Sequence, residues 1–367
     1  MKIVIVLPTY NERQNIKELI PKIASVATKL HPKHLLEVLV VDDHSPDGTA
    51  QEVSQLCSKF PFLSLLSGEK KGLGMAYVRG MNYALNKMQA DVMFEMDADF
   101  SHDADKIPDF IREIEKGADF VIGSRYIKGG SIPKEWAYHR KVFSVIGNLI
   151  VRYGLFIPSI HEWTNGYRAF RANVFKAVGE GLSRYPGYTF QVAFLHRVYL
   201  AKCVIKEIPL VFIDRSWGES KIIPPDYIYN LLVYVLTHSS PIRFIVVGGV
   251  GFLIQLLIAS VLVSLHLFPG IAVVVGAEVA ILSNFILNNS WTFAHKKLSG
   301  KRLIKRFSAF NIAGIGSIVI QGVVVSLGVL FFGRSSWLLF TIFSIIFIVI
   351  PYSFFIYNRF IWRTHEK

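Results

Sequence analysis

Two aspartates one residue apart, Asp97-Ala98-Asp99, follow the apolar run Val92-Met93-Phe94. Alternate residues leaving a strand end can both be turned toward one ligand, and two hard carboxylates there suit Mg2+ or Mn2+ bridging phosphate oxygens. Ser101 or His102 would add a direct or water-mediated contact. Solvated turn acids explain most isolated D-x-D pairs. The second acidic cluster, Asp42-Asp43, favours the metal reading here. Lys70-Lys71-Gly72-Leu73-Gly74-Met75-Ala76 is a glycine-containing lead-in to a helix. Such a segment offers backbone N–H groups and a positive dipole end to an anion, the alternative being a flexible turn. It has neither the Gly-Lys-Ser/Thr of a Walker A loop nor the glycine spacing of a dinucleotide fingerprint.

These side chains need strand ends to hold them. Strands are expected at Lys2–Leu7, Leu36–Val41, Leu63–Leu66, Val92–Met96, Asp119–Ile122 and Val204–Ile213, with helices near 13–30, 47–59, 73–88 and 106–117. The alternation predicts an α/β, Rossmann-like, mostly parallel sheet covered on both faces. Ligands collect at the carboxyl ends of such strands, where Pro8-Thr9-Tyr10-Asn11-Glu12, Asp42-Asp43-His44-Ser45 and Asp97-Ala98-Asp99 all fall.

The 367-residue chain is 52% hydrophobic and only 18% charged, with a mean hydropathy of +0.39. That excludes a disordered chain and argues against a wholly soluble one. Residues 1–240 carry 29 Lys+Arg and 25 Asp+Glu, whereas residues 241–367 carry 11 and 2. Four apolar stretches, about 242–265, 270–293, 307–332 and 336–361, are each long enough to span a bilayer and predict an all-α domain. Lys296, Lys297, Lys301, Arg302, Lys305 and Arg306 crowd the middle connection, and Arg359, Arg363 and Lys367 the tail. The positive-inside rule then places both termini and the middle loop in the cytoplasm. The absence of a signal peptide before the strand-like Met1 to Leu7 agrees.

This half repeats itself. Arg243-Phe244 recurs as Arg306-Phe307, Gly248 and Gln255 as Gly314 and Gln321, and Asn289, Trp291 and Phe293 as Asn358, Phe360 and Trp362. Glu278 is the one acid within a span, a functional or a packing residue. Cys57 and Cys203 are too few for a disulfide scaffold or a thiolate zinc site. Nucleic-acid binding is set aside, because the positive charge concentrates in a juxtamembrane loop. The expected domains are 1–221, an interface helix or linker at 222–240, and 241–367. A further amphipathic, aromatic segment at 134–160 either lies in the membrane interface or packs on the domain's own sheet.

Val6-Leu7-Pro8-Thr9-Tyr10-Asn11-Glu12, Val41-Asp42-Asp43-His44-Ser45-Pro46-Asp47-Gly48-Thr49 and Met96-Asp97-Ala98-Asp99-Phe100-Ser101-His102 resemble the inverting glycosyltransferase family 2, of GT-A fold. Ile122-Gly123-Ser124-Arg125-Tyr126, Trp163-Thr164-Asn165-Gly166-Tyr167-Arg168, Gly187-Tyr188-Thr189-Phe190-Gln191 and the stretch from Glu207 to Lys221 are similar to dolichol-phosphate mannose synthases. The likeness covers about residues 2–222, and the remainder resembles GtrA-like four-helix domains. Two departures are visible. Glu162-Trp163-Thr164-Asn165-Gly166-Tyr167-Arg168 stands where the family often has Asp-x-Thr-Ser-Gly-Phe-Arg, and Ser101 where some relatives have Gln.

The resemblance implies that Pro8, Tyr10, Glu12 and Asp43 line a guanosine pocket. Asp97, Ala98 and Asp99 would border the donor diphosphate, with Asp97, Asp99 and, as a further candidate, Ser101 holding Mg2+ or Mn2+. Arg215 and Lys221 would close over the diphosphate. Arg125 and Arg140, with Ser144, would receive the phosphate of a lipid acceptor. Transfer to a phosphate uses a nucleophile already ionised at neutral pH, so alignment, charge neutralisation and a Lewis acid suffice. Asp97 as a general base is the rival reading. The expectation is inverting transfer of mannose from GDP-mannose to dolichyl or another polyprenyl phosphate. The alternatives are a UDP-glucose or other nucleotide-sugar transferase with an undecaprenyl-type acceptor, or an accessory to a lipid-sugar flippase.

Overall fold

The computed structural model describes residues 1–133, 135–185, 187, 189–212, 224–267, 269–333 and 336–362. The chain divides into two compact units, Met1–Val235 and Leu236–Lys367. The first is built on seven strands: β1 (Lys2–Thr9), β2 (Leu35–Asp42), β3 (Leu63–Ser67), β4 (Val92–Glu95), β5 (Phe120–Ser124), β6 (Arg168–Arg171) and β7 (Ile205–Pro209). They lie in the order β3-β2-β1-β4-β6-β5-β7. All pairings are parallel except those of β6, which runs antiparallel between β4 and β5.

The helices of this unit are α1 (Arg13–Leu30), α2 (Thr49–Cys57), α3 (Leu73–Asn86), α4 (Ile107–Glu115), α5 (Tyr138–Gly154), α6 (Ala172–Val178), α7 (Thr189–Leu200) and α8 (Pro224–His238), the last running to the boundary between units. β1 shows why the sheet is covered on both sides. Ile3, Ile5 and Leu7 enter one core with Ile16, Leu19, Ile20, Val53 and Phe110 of α1, α2 and α4. Val4 and Val6 enter the other with Ala76, Tyr77 and Met81 of α3 and Phe190 and Phe194 of α7. A strand buried on both faces must be apolar throughout, and Ile3 to Leu7 is. Gly80 lets α3 settle onto the sheet, since a Cβ there would run into Val6 Cγ1. Chain order reverses at β1, which has β2 on one side and β4 on the other, and in such sheets the ligand crevice lies at the carboxyl ends of the strands flanking that point, here β1 and β4.

α5 turns Asn148 and Val151 inward and leaves Tyr138, Phe143, Ile146, Leu149 and Tyr153 exposed. α8 likewise buries Leu231, Tyr234 and Val235 in the first unit's core and exposes Tyr229, Leu232 and Val233. Both the 134–160 segment and the expected interface helix at 222–240 thus have one face of each kind. Lys134, the first residue of the 134–160 segment, lies outside the described residues.

The second unit is helical: α9 (Ser240–Ser264), α10 (Pro269–Leu287), α11 (Lys301–Phe332), α12 (Trp337–Ser344) and α13 (Ile350–Ile356). α9, of 25 residues, is long and apolar enough to cross a membrane. The repeat seen in the sequence has a structural counterpart. α10 and α13 both end in a π-helical turn, Asn288–Thr292 and Tyr357–Ile361. Arg243 donates to the Trp291 carbonyl at 3.1 Å, and Arg306 to that of Phe360. Where α9 crosses α10, Gly251 abuts the Asn284 side chain, and at the corresponding crossing Ser317 and Ser353 hydroxyls meet at 2.8 Å. Phe285, Phe293, Phe310, Phe354, Tyr357, Ile361 and Trp362 form the unit's buried cluster. Glu278 of α10 is exposed.

Candidate active site

The first wall of the crevice is the β1 and β2 ends. Asp42 is committed to neighbouring protein groups, accepting from Thr9 Oγ1 of β1 at 3.0 Å and, in its own loop, from Ser45 N at 2.9 Å and Ser45 Oγ at 2.5 Å. Asp43 instead accepts from Arg79 Nη2 at 2.5 Å. Burial pushes the Asp43 carboxyl up, and the Arg79 guanidinium only partly opposes this. Glu12 accepts from Asn15 Nδ2 at 2.6 Å, and Lys70 Nζ sits 3.4 Å from the centre of the Tyr10 ring. Pro8, Tyr10, Glu12 and Asp43 thus gather at adjoining strand ends. Arg79, three residues past Ala76 on α3, was missed. Its type and place in the sequence alone give no sign that it reaches Asp43.

The second wall is the β4 end. Tyr77 Oη donates to Asp97 Oδ1 at 2.9 Å, from a ring stacked on Phe190. Asp99 Oδ1 accepts from Ser101 N at 3.1 Å and Ser101 Oγ at 2.6 Å. The Ser101 hydroxyl therefore orients Asp99. His102 is buried. Its Nδ1 accepts from the Asp97 backbone N–H at 2.9 Å, and its Nε2 lies 3.0 Å from Asn165 Oδ1. Ala98, buried, separates the two acids.

Among the described residues no group of three or more His, Cys, Asp and Glu could hold a metal ion. Two carboxylates suit a cation whose other positions are filled by substrate phosphate oxygens and water, as Mg2+ sites commonly are. Asp97 and Asp99 have the oxygen chemistry and the strand-end placement for Mg2+ or Mn2+.

The third wall follows β5. Arg125 is buried in a bidentate pair with Glu162, Nε and Nη2 each at 2.8 Å from a carboxylate oxygen, and Nη2 also donates to Thr164 Oγ1 at 2.9 Å. Burial pushes the Glu162 carboxyl up, but the adjacent Arg125 guanidinium together with the backbone N–H groups of Thr164 and Arg125 holds it below the usual range. Glu162 also accepts from the backbone N–H groups of Thr164 and Asn165. Arg140 lies over the Trp136 ring at 3.8 Å, and Ser144 Oγ meets Tyr126 Oη at 2.6 Å. Arg215 and Lys221 lie outside the described residues.

Glu95 is a second group that sequence reading missed. It ends β4 opposite Arg168 and is fully buried, with the Gln191 side chain beside it. Burial pushes it up to about 7, against the opposing charge of Arg168. Arg168 is itself buried and donates to the carbonyls of Asn165, Gln191 and Trp163.

Comparison with known proteins gives the family of each half. Residues 4–179 match the family described as glycosyl transferase family 2, and residues 243–362 match the GtrA/DPMS transmembrane domain. A dolichol-phosphate mannosyltransferase of Pyrococcus furiosus is 33% identical over 332 residues, 88% of this chain and 90% of that protein. A polyprenol monophosphomannose synthase of Mycolicibacterium smegmatis is 34% identical, covering 59% of this chain and 79% of its own length. An undecaprenyl-phosphate mannosyltransferase of Micrococcus luteus is 35% identical, covering 60% and 87%.

Proposed function

The chain belongs to glycosyl transferase family 2, as a GT-A mannosyltransferase joined to a GtrA/DPMS transmembrane domain, and from that membership we propose that it transfers mannose from GDP-mannose to dolichyl phosphate with inversion. Mannose transfer to a polyprenyl phosphate is the coarser activity that its relatives share. The observation that carries the reading is the acid pair Asp97 and Asp99 just past β4, the strand next to β1, with Tyr10 and Asp43 just past the ends of β1 and β2.

In this reading Asp43, oriented by Arg79, accepts from the N–H edge of the guanine. A divalent cation held by Asp97 and Asp99 would supply Lewis acidity toward the departing diphosphate. Arg140, with Arg125 and Ser144, holds the acceptor phosphate behind the anomeric carbon. Because Glu162 neutralises much of the Arg125 charge, Arg140 carries the larger share of the electrostatic attraction. The nucleophile needs no base, so one displacement converts an α-linked donor into a β-linked product.

The domain arrangement and topology are part of the same proposal. Residues 1–221 are catalytic, 222–240 a linker helix, and 241–367 the membrane domain, with both termini and the basic loop around 296–306 cytoplasmic. The excess of Lys and Arg in that loop supports the orientation. The exposed apolar face of α5, flanked by Arg140, Lys141 and Arg152, supports its resting at the membrane interface.

The test is a donor panel. Membranes holding the chain are given labelled GDP-mannose, GDP-glucose or UDP-glucose with dolichyl or undecaprenyl phosphate. The reading expects label from GDP-mannose in the lipid phase, fastest with dolichyl phosphate. Preferential use of UDP-glucose would overturn the donor assignment, and preference for undecaprenyl phosphate the acceptor assignment.

A further inference from the structure

We propose that His102 and Asn165 are positioning residues that fix the backbone of Asp97 relative to the Arg125–Glu162 pair. The proposal rests on the reading above, in which Asp97 serves the donor and Arg125 the acceptor.

Every donor and acceptor along this path is set by a backbone group, so the assignment needs no assumption about hydrogens. The Asp97 N–H can only donate, so His102 Nδ1 accepts at 2.9 Å. The Gly123 carbonyl can only accept, so the atom of Asn165 at 2.6 Å from it is Nδ2. Asn165 Oδ1 then faces His102 Nε2 at 3.0 Å and accepts its proton. The imidazole is therefore neutral, with its hydrogen on Nε2. His102 Nε2 also lies 3.8 Å from Asp97 Oδ2, too far for a hydrogen bond.

The path continues without a break. The Asn165 N–H donates to Glu162 Oε1 at 3.0 Å, and Glu162 holds Arg125. His102 is 1% exposed, Asn165 4% and Glu162 0%. The imidazole is stacked on Tyr167, ring centres 4.8 Å apart, and the Tyr167 hydroxyl is tied to the Asp103 carbonyl. Neither ring is free to turn. A buried, fully satisfied network of this kind holds its members in one arrangement. An in-line displacement needs the donor-side and acceptor-side groups in one fixed geometry, and a misplacement of about 1 Å can cost about 100-fold in rate.

The test uses the full chain in lipid nanodiscs. His102→Phe keeps an aromatic ring of similar size and removes both nitrogens. His102→Asn places an amide oxygen where Nδ1 stands and so keeps the acceptor for the Asp97 N–H. Asn165→Ser cuts the link from the other side. Two readouts are taken: Mn2+ binding in the presence of GDP, by electron paramagnetic resonance, and kcat and KM for both substrates. We expect His102→Phe to weaken Mn2+ binding and lower kcat by about 10–100-fold each, with the acceptor KM changed by less than about threefold. His102→Asn should recover most of the Mn2+ affinity, and Asn165→Ser should lower kcat in the same direction.

A folded His102→Phe chain with Mn2+ affinity and kcat both close to the unaltered chain would overturn the proposal. So would a loss that His102→Asn does not relieve. Should His102→Phe not fold, the Asn165→Ser result decides alone, and unchanged kcat there would sink the idea. If the unaltered chain fails to use GDP-mannose, the functional reading is what fails, and the Mn2+ arm still judges the positioning role.

Discussion

Arg125 and Arg140 were expected to share one task, and their surroundings give them different costs of removal. Arg125 is bonded through two nitrogens to the fully buried Glu162, whereas Arg140 lies over the Trp136 ring. Removing one partner of a buried ion pair leaves an uncompensated charge and costs about 3–5 kcal/mol. Arg125→Ala should therefore lower stability by about that amount in denaturant titration. Arg140→Ala should leave stability nearly unchanged and raise the KM for the polyprenyl phosphate. Equal stability losses would show that Glu162 does not depend on Arg125. Glu95 sets a pH dependence of stability. Its folded carboxyl is raised to about 7 and its unfolded one is near the ordinary value, so the folded state binds the proton more tightly. Stability should fall as pH rises from about 4.5 to 7, by about 3 kcal/mol for a shift of this size. In Glu95→Gln that difference between pH 5 and pH 8 should vanish, which melting at the two pH values checks. Neither effect was legible in the sequence. The Arg125–Glu162 pair joins residues 37 apart, and the burial of Glu95 follows only once Arg168 is across from it.

The elements that follow simple periodic rules were readable, and those that depend on distant partners were not. β1 to β4 lie where their apolar runs end in polar turns, and α1 to α4 where amphipathic spacing places them. β6 was missed because Arg168–Arg171 is short, bounded by arginines and antiparallel, and it becomes a strand only by inserting between β4 and β5. In the membrane unit the duplication was legible through repeated residues, but not the crossing it builds. Gly251 faces Asn284 in the first hairpin where Ser317 faces Ser353 in the second. A Cβ on Gly251 would run into Asn284 Oδ1. Gly251→Ser alone should lower the thermal midpoint in detergent, because small residues set the helix approach. Adding Asn284→Ser, which recreates the second hairpin's pair, should restore it, a non-additivity expected of residues in contact. Additive losses would contradict the equivalence of the two crossings.

At the scale of the whole molecule, the described residues proposed for chemistry all lie in the first unit, and the second contributes the transmembrane domain. A chain ending at Ser240 should then still transfer mannose to a short polyprenyl phosphate in detergent. Long acceptors in a bilayer should suffer more, because the spans raise the local concentration of enzyme at the lipid without making the bond. A folded truncated domain that binds GDP with metal yet transfers to no acceptor would show that the helices help build the acceptor site. The central claim is one inverting displacement at the crevice between the β4 acids and the β5 arginine. The most direct measurement is the anomeric configuration of the product made by the purified full chain from GDP-mannose and dolichyl phosphate, read from one-bond carbon–hydrogen coupling at the anomeric carbon, with Asp97→Ala as the control. The account predicts a β-linked mannosyl phosphate from the unaltered chain and none from the control. An α-linked product, or β-linked product from Asp97→Ala at the unaltered rate, would contradict it.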